Sequence, residues 1–134
     1  MISHVLDTNA VITMIGRKSD TLIGRIIASP PGSIGLSSIV THELYFGAYK
    51  SAQVQRNLET LRLLIADFAV LDFDLQDALA AGEIRANLAS KGTPIGPYDV
   101  LIAGQAKARS LVVVTSNVGE FARVEGLRVE DWTA

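Results

Sequence analysis

Asp7, Glu43 and Asp99 come from three distant parts of the chain, yet each falls beside a strand end or a helix start. Asp7 closes the short apolar stretch SHVLD. Glu43 lies one turn into the helix-like stretch IVTHELYFGAYKSAQ, and Asp99 in the first turn of GPYDVLIAGQAKARS. Each acid has a plainer reading as well. Acids near helix N-termini satisfy orphan N–H groups and complement the dipole, for about 0.5–1 kcal/mol, and DTN is itself a good cap for a following helix. Asp7 is the sharper case, because Asp is depleted in strands.

Three carboxylates brought together raise one another's pKa unless a cation accompanies them. Mg²⁺ and Mn²⁺ prefer oxygen ligands, keep several waters and take one or two direct carboxylates plus substrate phosphate oxygens. Such a site fits phosphodiester hydrolysis, in which the metal activates a water and stabilises charge on phosphorus. Without cysteine or a histidine-rich cluster, the sequence does not point to zinc.

A second stretch, VVVTSNVGEF at 112–121, offers Thr115, Ser116, Asn117 and Glu120. The run LVVVT is apolar and β-branched, as a strand buried on both faces would be. Asn117 with Glu120 three residues later has the form of an N-cap and its reciprocal partner. A capped turn there predicts Asn117 at the rim of an acidic cleft.

The elements that must position these residues alternate. Short strands are predicted at SHVLDT (3–8), IGLSS (34–38), AVLDF (69–73), LVVVT (111–115) and LRVED (127–131). Helices are predicted between them, including VQRNLETLRLLIADF (54–68), where Val54, Leu58, Leu61 and Ile65 form one stripe. DLQDALAAGEIRANLASKG carries acids in its first turn and a Lys-Gly stop, and Pro97 suits a first helical position. Alternation of this kind predicts an α/β fold, a three-layer α/β/α sandwich with a mostly parallel sheet of about five short strands. Ligands then bind outside the carboxyl ends of the strands. Residues 1–134 read as a single domain, since the length suffices for one core and not for two.

At 49% hydrophobic and 19% charged residues the chain is too apolar to be a disordered segment. No apolar run approaches the ~20 residues of a membrane span, since Asp67 interrupts the longest, and Asp7 arrives too early for a secretory signal. The absence of cysteine makes a cytoplasmic protein the expectation. A net charge of −2 does not advertise a nucleic-acid binder, although a metal can supply the positive charge at an acidic site.

HVLDTN, SSIVTHELYFGAYKS, IGPYDVLIAGQA and VTSNVGEFARVEGLRVEDW, in that order over almost the whole chain, together resemble a PIN-domain ribonuclease of the VapC toxin type. The resemblance implies that Asp7, Glu43 and Asp99 are the family's metal-binding acids, with Thr8 and Asn9 the polar pair beside the first. It also implies Mg²⁺- or Mn²⁺-dependent RNA cleavage, inhibition of translation, a cognate antitoxin protein and a homodimer. Where many PIN domains carry a fourth acid, after the strand matched by LVVVT, this chain has Asn117, with Glu120 following, so the resemblance implies a neutral, water-mediated fourth corner of a metal site whose strong ligands are Asp7 and Asp99, supported by Glu43.

Among other residues, His42 adjoins Glu43 on a helix and is expected to point elsewhere, and His4 and His42 do not have the spacing of a metal pair. Tyr98 reads as packing or as a stacking surface for a base. Tyr45, Phe46 and Tyr49 read either as core or as an interface for a second copy or an antitoxin. Arg17, Lys18, Arg25, Lys50 and Arg85 are phosphate-contact candidates, and Glu125, Glu130 and Asp131 read as surface charge. Two other functions compete. Phosphoryl transfer through an aspartyl-phosphate needs a second acid where Asn9 stands, or an adjacent acidic pair with a late lysine. A non-catalytic binding module would keep the fold around an inert acidic pocket.

Overall fold

The computed structural model describes residues 1–134 as five strands and seven helices. The chain opens with β1 (His4–Leu6), α1 (Thr8–Ile15) and α2 (Asp20–Ala28), then β2 (Ile34–Ser37), α3 (Ser38–Lys50), α4 (Val54–Ile65) and β3 (Ala69–Leu71). α5 (Leu75–Ser90) and α6 (Pro97–Ala108) form a helical pair ahead of β4 (Val112–Val114), α7 (Val118–Phe121) and β5 (Val129–Glu130). These are the predicted strands and helices with α7 added, a single turn behind the expected cap. No helix is long and apolar enough to cross a membrane.

The sheet order is β3-β2-β1-β4-β5 and every pairing is parallel. Every residue of β2 and β4 is buried, including neighbours that point to opposite faces, so helices cover both sides of the sheet's centre. From β1 the chain builds outward through β2 and β3, then crosses back to place β4 on the other side of β1. The carboxyl end of β1 is therefore the topological switch point, where open α/β sheets bind ligands.

Two features hold α5 and α6 in place. The helices approach so closely that a Cβ on Gly104 would lie 2.6 Å from the Cα and Cβ of Ala81. Gly104→Ala should lower the unfolding free energy read from urea titration by about 1–3 kcal/mol, although alanine gains ~1 kcal/mol in helix propensity, because backbone must move to admit it. The second feature is a polar lock. Asp74 and Asp77 form a reciprocal capping box at the start of α5, and Asp77, 1% exposed, also receives Arg109 from the end of α6 at 2.9 and 3.2 Å. Gln105 donates to Asp77 and to the carbonyls of Leu71 and Asp72, each at 3.2 Å, tying β3 to the same knot.

Candidate active site

Asp7 is the N-cap of α1 and 2% exposed. Its Oδ1 accepts the Ala10 N–H at 2.8 Å and its Oδ2 accepts the Thr115 hydroxyl at 2.6 Å. The capping reading and the active-site reading thus hold for the same side chain, because each carboxylate oxygen keeps a second lone pair for another partner. Burial pushes the Asp7 carboxyl above its usual range, and Glu43 and Glu120 push the same way, against the lowering hydrogen bonds from Thr115 and Ala10. Thr115, completely enclosed at the end of β4, in turn accepts the Asn117 N–H at 2.9 Å.

Thr8 donates its hydroxyl to Glu43 at 2.7 Å, so the residue after Asp7 orients the acid of α3. Asp99 stands in the first turn of α6, hydrogen-bonded to Glu120. Desolvation, the Glu120 hydrogen bond and charge, and the charges of Asp7 and Glu43 raise the Asp99 carboxyl to about 7. Glu120 moves the other way. Burial alone would raise it, but the Gly96 N–H at 2.6 Å, the Asp99 hydrogen bond and the Asn117 side-chain amide hold it below its usual value. The two carboxyls are thus pushed in opposite directions, Asp99 up and Glu120 down.

The three acids predicted from the sequence thus act on one another electrostatically, and Glu120 joins them. Two expectations change. Asn117 is the N-cap of α7 by position, but its side chain does not cap the helix. Instead its amide Nδ2 donates to the Glu120 carboxylate. Glu120 does not reach back to the cap's backbone; it turns to Gly96 and Asp99. A spacing of three brings the two side chains together in either arrangement, and the Gly96 amide, 24 residues away in sequence, decides between them. Gly96 is also constrained, because a Cβ there would sit 3.0 Å from Asp99 Oδ2 and 3.3 Å from Glu120 Oε1.

His42 is the second correction. It does not point away from Glu43's surroundings but lines the same cleft, with its ring 5.3 Å from that of Tyr98. Neighbours on a helix are separated by about 100°, and a cleft wide enough to span that arc admits both. The cleft is the largest cavity in the protein, about 550 Å³, with Thr8, Asn9, Glu43 and Asp99 as its polar lining. The sequence did carry a signal for its other wall, since a ring immediately precedes an acid in both THE and PYD.

Tyr45, Phe46 and Tyr49 are 38%, 62% and 66% exposed, which removes the core reading and leaves surface available for a partner. Among the basic candidates, Arg25 lies 4.6 Å over the Trp132 ring and pairs with Glu130 at 3.7 Å, so both are engaged away from the cleft. No ion pair of the protein involves Asp7, Glu43, Asp99 or Glu120.

An oxygen-only donor set with no basic partner and a carboxyl raised to neutrality fits a hard divalent cation. No group of three His, Asp or Glu side chains is drawn tightly enough to ligate one ion directly. That suits an ion that binds through one or two carboxylates and keeps its waters.

Comparison with known proteins agrees with this fold. The model of the PIN domain matches residues 4–127. The tRNA(fMet)-specific endonuclease VapC of Salmonella typhimurium is 46% identical over 132 residues, covering 98% of this chain and 99% of the relative. Among solved structures, DNA-bound VapBC from Salmonella typhimurium superposes with a TM-score of 0.94 at 46% identity, covering 98% of this chain and 99% of that one. VapBC-5 from Mycobacterium tuberculosis, a member of the VapBC family of toxin–antitoxin systems, gives 0.74 at 27% identity and covers 98% of both chains. With the acids of β1, α3 and α6 gathered at the switch point of such a fold, the chain belongs to the PIN-domain family, in its VapC branch.

Proposed function

We propose that this protein is the endoribonuclease toxin of a toxin–antitoxin pair, acting in the cytoplasm, and that it inhibits translation by hydrolysing phosphodiester bonds of RNA. The substrate to test first is tRNA(fMet), for which a relative of 46% identity is named. The observation that carries the reading is the group of acids Asp7, Glu43, Asp99 and Glu120 near the carboxyl end of β1, none of them in an ion pair with a basic side chain. Its partner is a cognate antitoxin protein, and the exposed Tyr45, Phe46 and Tyr49 are surface for that partner or for a homodimer.

Mg²⁺, with Mn²⁺ as its substitute, would be held by Asp7 and Asp99 with Glu43 in support, and would supply Lewis-acid stabilisation of phosphate charge and a water of lowered pKa. The protein's own residues do the positioning. Thr115 fixes the rotation of Asp7, Thr8 fixes Glu43, and Gly96 with Asn117 hold Glu120 against Asp99. Asn9, exposed on the first turn of α1, lines the cleft within reach of a substrate's polar edge. A raised Asp99 holds a proton more readily than an ordinary carboxyl, and a cation bound there would compete with it.

The sign of the pH dependence follows. Asp99 is raised in the folded protein, so the metal-free fold binds an extra proton and loses stability as pH rises toward about 7. Cation binding expels that proton, so Mn²⁺ affinity measured by calorimetry should increase through the same range, with proton release that differs between buffers of different ionisation enthalpy. Asn117→Ala should reduce cleavage by about tenfold or less, well short of the loss on removing an acid, because it only loosens Glu120. An equal loss in steady-state assays would make Asn117 a direct participant.

The decisive experiment incubates the purified protein with a tRNA(fMet) transcript and a panel of other RNAs, with Mg²⁺ or with chelator, and sequences the new ends. Discrete metal-dependent cuts are expected; intact RNA throughout, with no Mn²⁺ binding at millimolar ion, would establish a non-catalytic module.

A further inference from the structure

The aromatic wall of the cleft has no role in holding the acids. His42 and Phe46 are four residues apart on α3, hence on one face of the helix, and Tyr98 faces them from the first turn of α6. All three rings are exposed to solvent, Phe46 at 62% and Tyr98 at 44%, so none is retained for the core. The His42 and Tyr98 rings meet at 5.3 Å and 54°, within the range of favourable tilted pairs, which holds Tyr98 in place before anything binds. Each pair member directly precedes an acid of the site, Glu43 or Asp99.

The charge of the cleft sharpens what these rings meet. Its lining contains no lysine or arginine, and its polar side is acidic, so it repels a phosphate that arrives without a cation. The cation tied to this wall is Lys50, 5.7 Å from the Phe46 ring centroid, which places it at the rim. Beyond what a bound cation would give at the phosphate, binding energy for a nucleotide inside comes from the base. Aromatic faces supply it, because every base has a π-face. A cavity of about 550 Å³ falls in the ~300–1,000 Å³ range of pockets that enclose a small ligand, enough for a nucleotide and not for a helix.

We propose that Tyr98, braced by His42 and faced by Phe46, is a stacking platform that receives one unpaired nucleobase beside the bond to be cut. The proposal rests on the ribonuclease reading and assigns Tyr98 and Phe46 as positioning residues for it. It makes an unstacked nucleotide a requirement of the cleft itself, since a base stacked between its neighbours in a duplex presents no free face to the ring.

The test uses two readouts. In steady-state cleavage of the RNA the protein cuts, Tyr98→Ala should lose about 5- to 150-fold in kcat/KM, the range that corresponds to ~1–3 kcal/mol per stacked base at about 1.4 kcal/mol per tenfold. The loss should fall mainly on KM, and Tyr98→Phe should restore activity to within about twofold of wild type. Equal loss in the alanine and phenylalanine variants overturns the proposal. The second readout places 2-aminopurine at successive positions of a short single-stranded RNA and measures its fluorescence on binding to the Asp7→Asn protein, with the fold checked by circular dichroism.

Quenching at one position, abolished by adding Tyr98→Ala, supports the platform. Quenching that is unchanged by Tyr98→Ala, or absent while the RNA binds, overturns it. So does a Tyr98→Ala protein with wild-type RNA kinetics and weakened binding to an antitoxin, which would give the wall to a protein partner. Failure of the ribonuclease reading is distinguishable: it shows as no cleavage by wild type, whereas failure of the platform shows as cleavage that is indifferent to Tyr98.

Discussion

Asp7→Asn is expected to lower RNA cleavage by about three orders of magnitude or more while leaving the protein folded. The two halves of that expectation have separate causes. Asparagine is as good an N-cap as aspartate, so its side-chain oxygen can still accept the Ala10 N–H and α1 keeps its start. What vanishes is a full negative charge at the switch point of the sheet and one of the two principal candidate ligands for the cation. Asp7 also raises Asp99 through its charge, so the variant should bring the Asp99 carboxyl back down. Measuring turnover beside thermal unfolding tests both halves. Cleavage within tenfold of wild type would remove Asp7 from the chemistry, and loss of the folded transition would make it a structural residue.

Arg109→Met is expected to destabilise the fold by about 3 kcal/mol although it lies outside the site. Asp77 is 1% exposed and relies on the Arg109 fork and Gln105 for charge and hydrogen bonding. Removing the fork leaves a buried carboxylate with an amide and a capping N–H. The figure sits at the low end for broken buried pairs because the Arg109 side chain is itself 30% exposed, so water screens the pair. In a domain of this size the fall in Tm is roughly 10 °C. Burial acts to raise Asp77, but Arg109, the Asp74 N–H and Gln105 overcome it and hold the carboxyl below its ordinary 3.8. The wild type therefore has this stabilisation in full above pH ~4 and loses it as pH falls through the lower folded value. Urea titrations at several pH values should show a smaller acid loss for the variant, since less of that stabilisation remains to be titrated.

Most of the fold was legible because its signals are local. SHVLD, IGLSS, AVLDF and LVVVT are short apolar runs set between helical periods, and parallel pairing follows from that alternation. The order of the strands depends on which crossover goes left and which right, and no single residue encodes it; hence the switch point at β1 emerged only from the structure. The acids of the site were legible for a related reason. Asp7, Glu43 and Asp99 each occupy a place fixed by its own element, a strand end or a first turn. Glu120 was misread because its partners Gly96 and Asp99 are more than twenty residues away, and His42 because adjacency on a helix was taken as divergence of direction.

The hydroxyl of Thr115 reaches the carboxylate of Asp7 across 108 residues of sequence. During synthesis, Asp7, Glu43 and Asp99 are all made before β4 exists to stand beside β1. Until it does, Asp7 has neither its second hydrogen bond nor its enclosure, and Glu120 has not been made. The acidic site is therefore a product of the finished fold: an unfinished chain lacks the strand and the hydroxyl that hold its first acid in place.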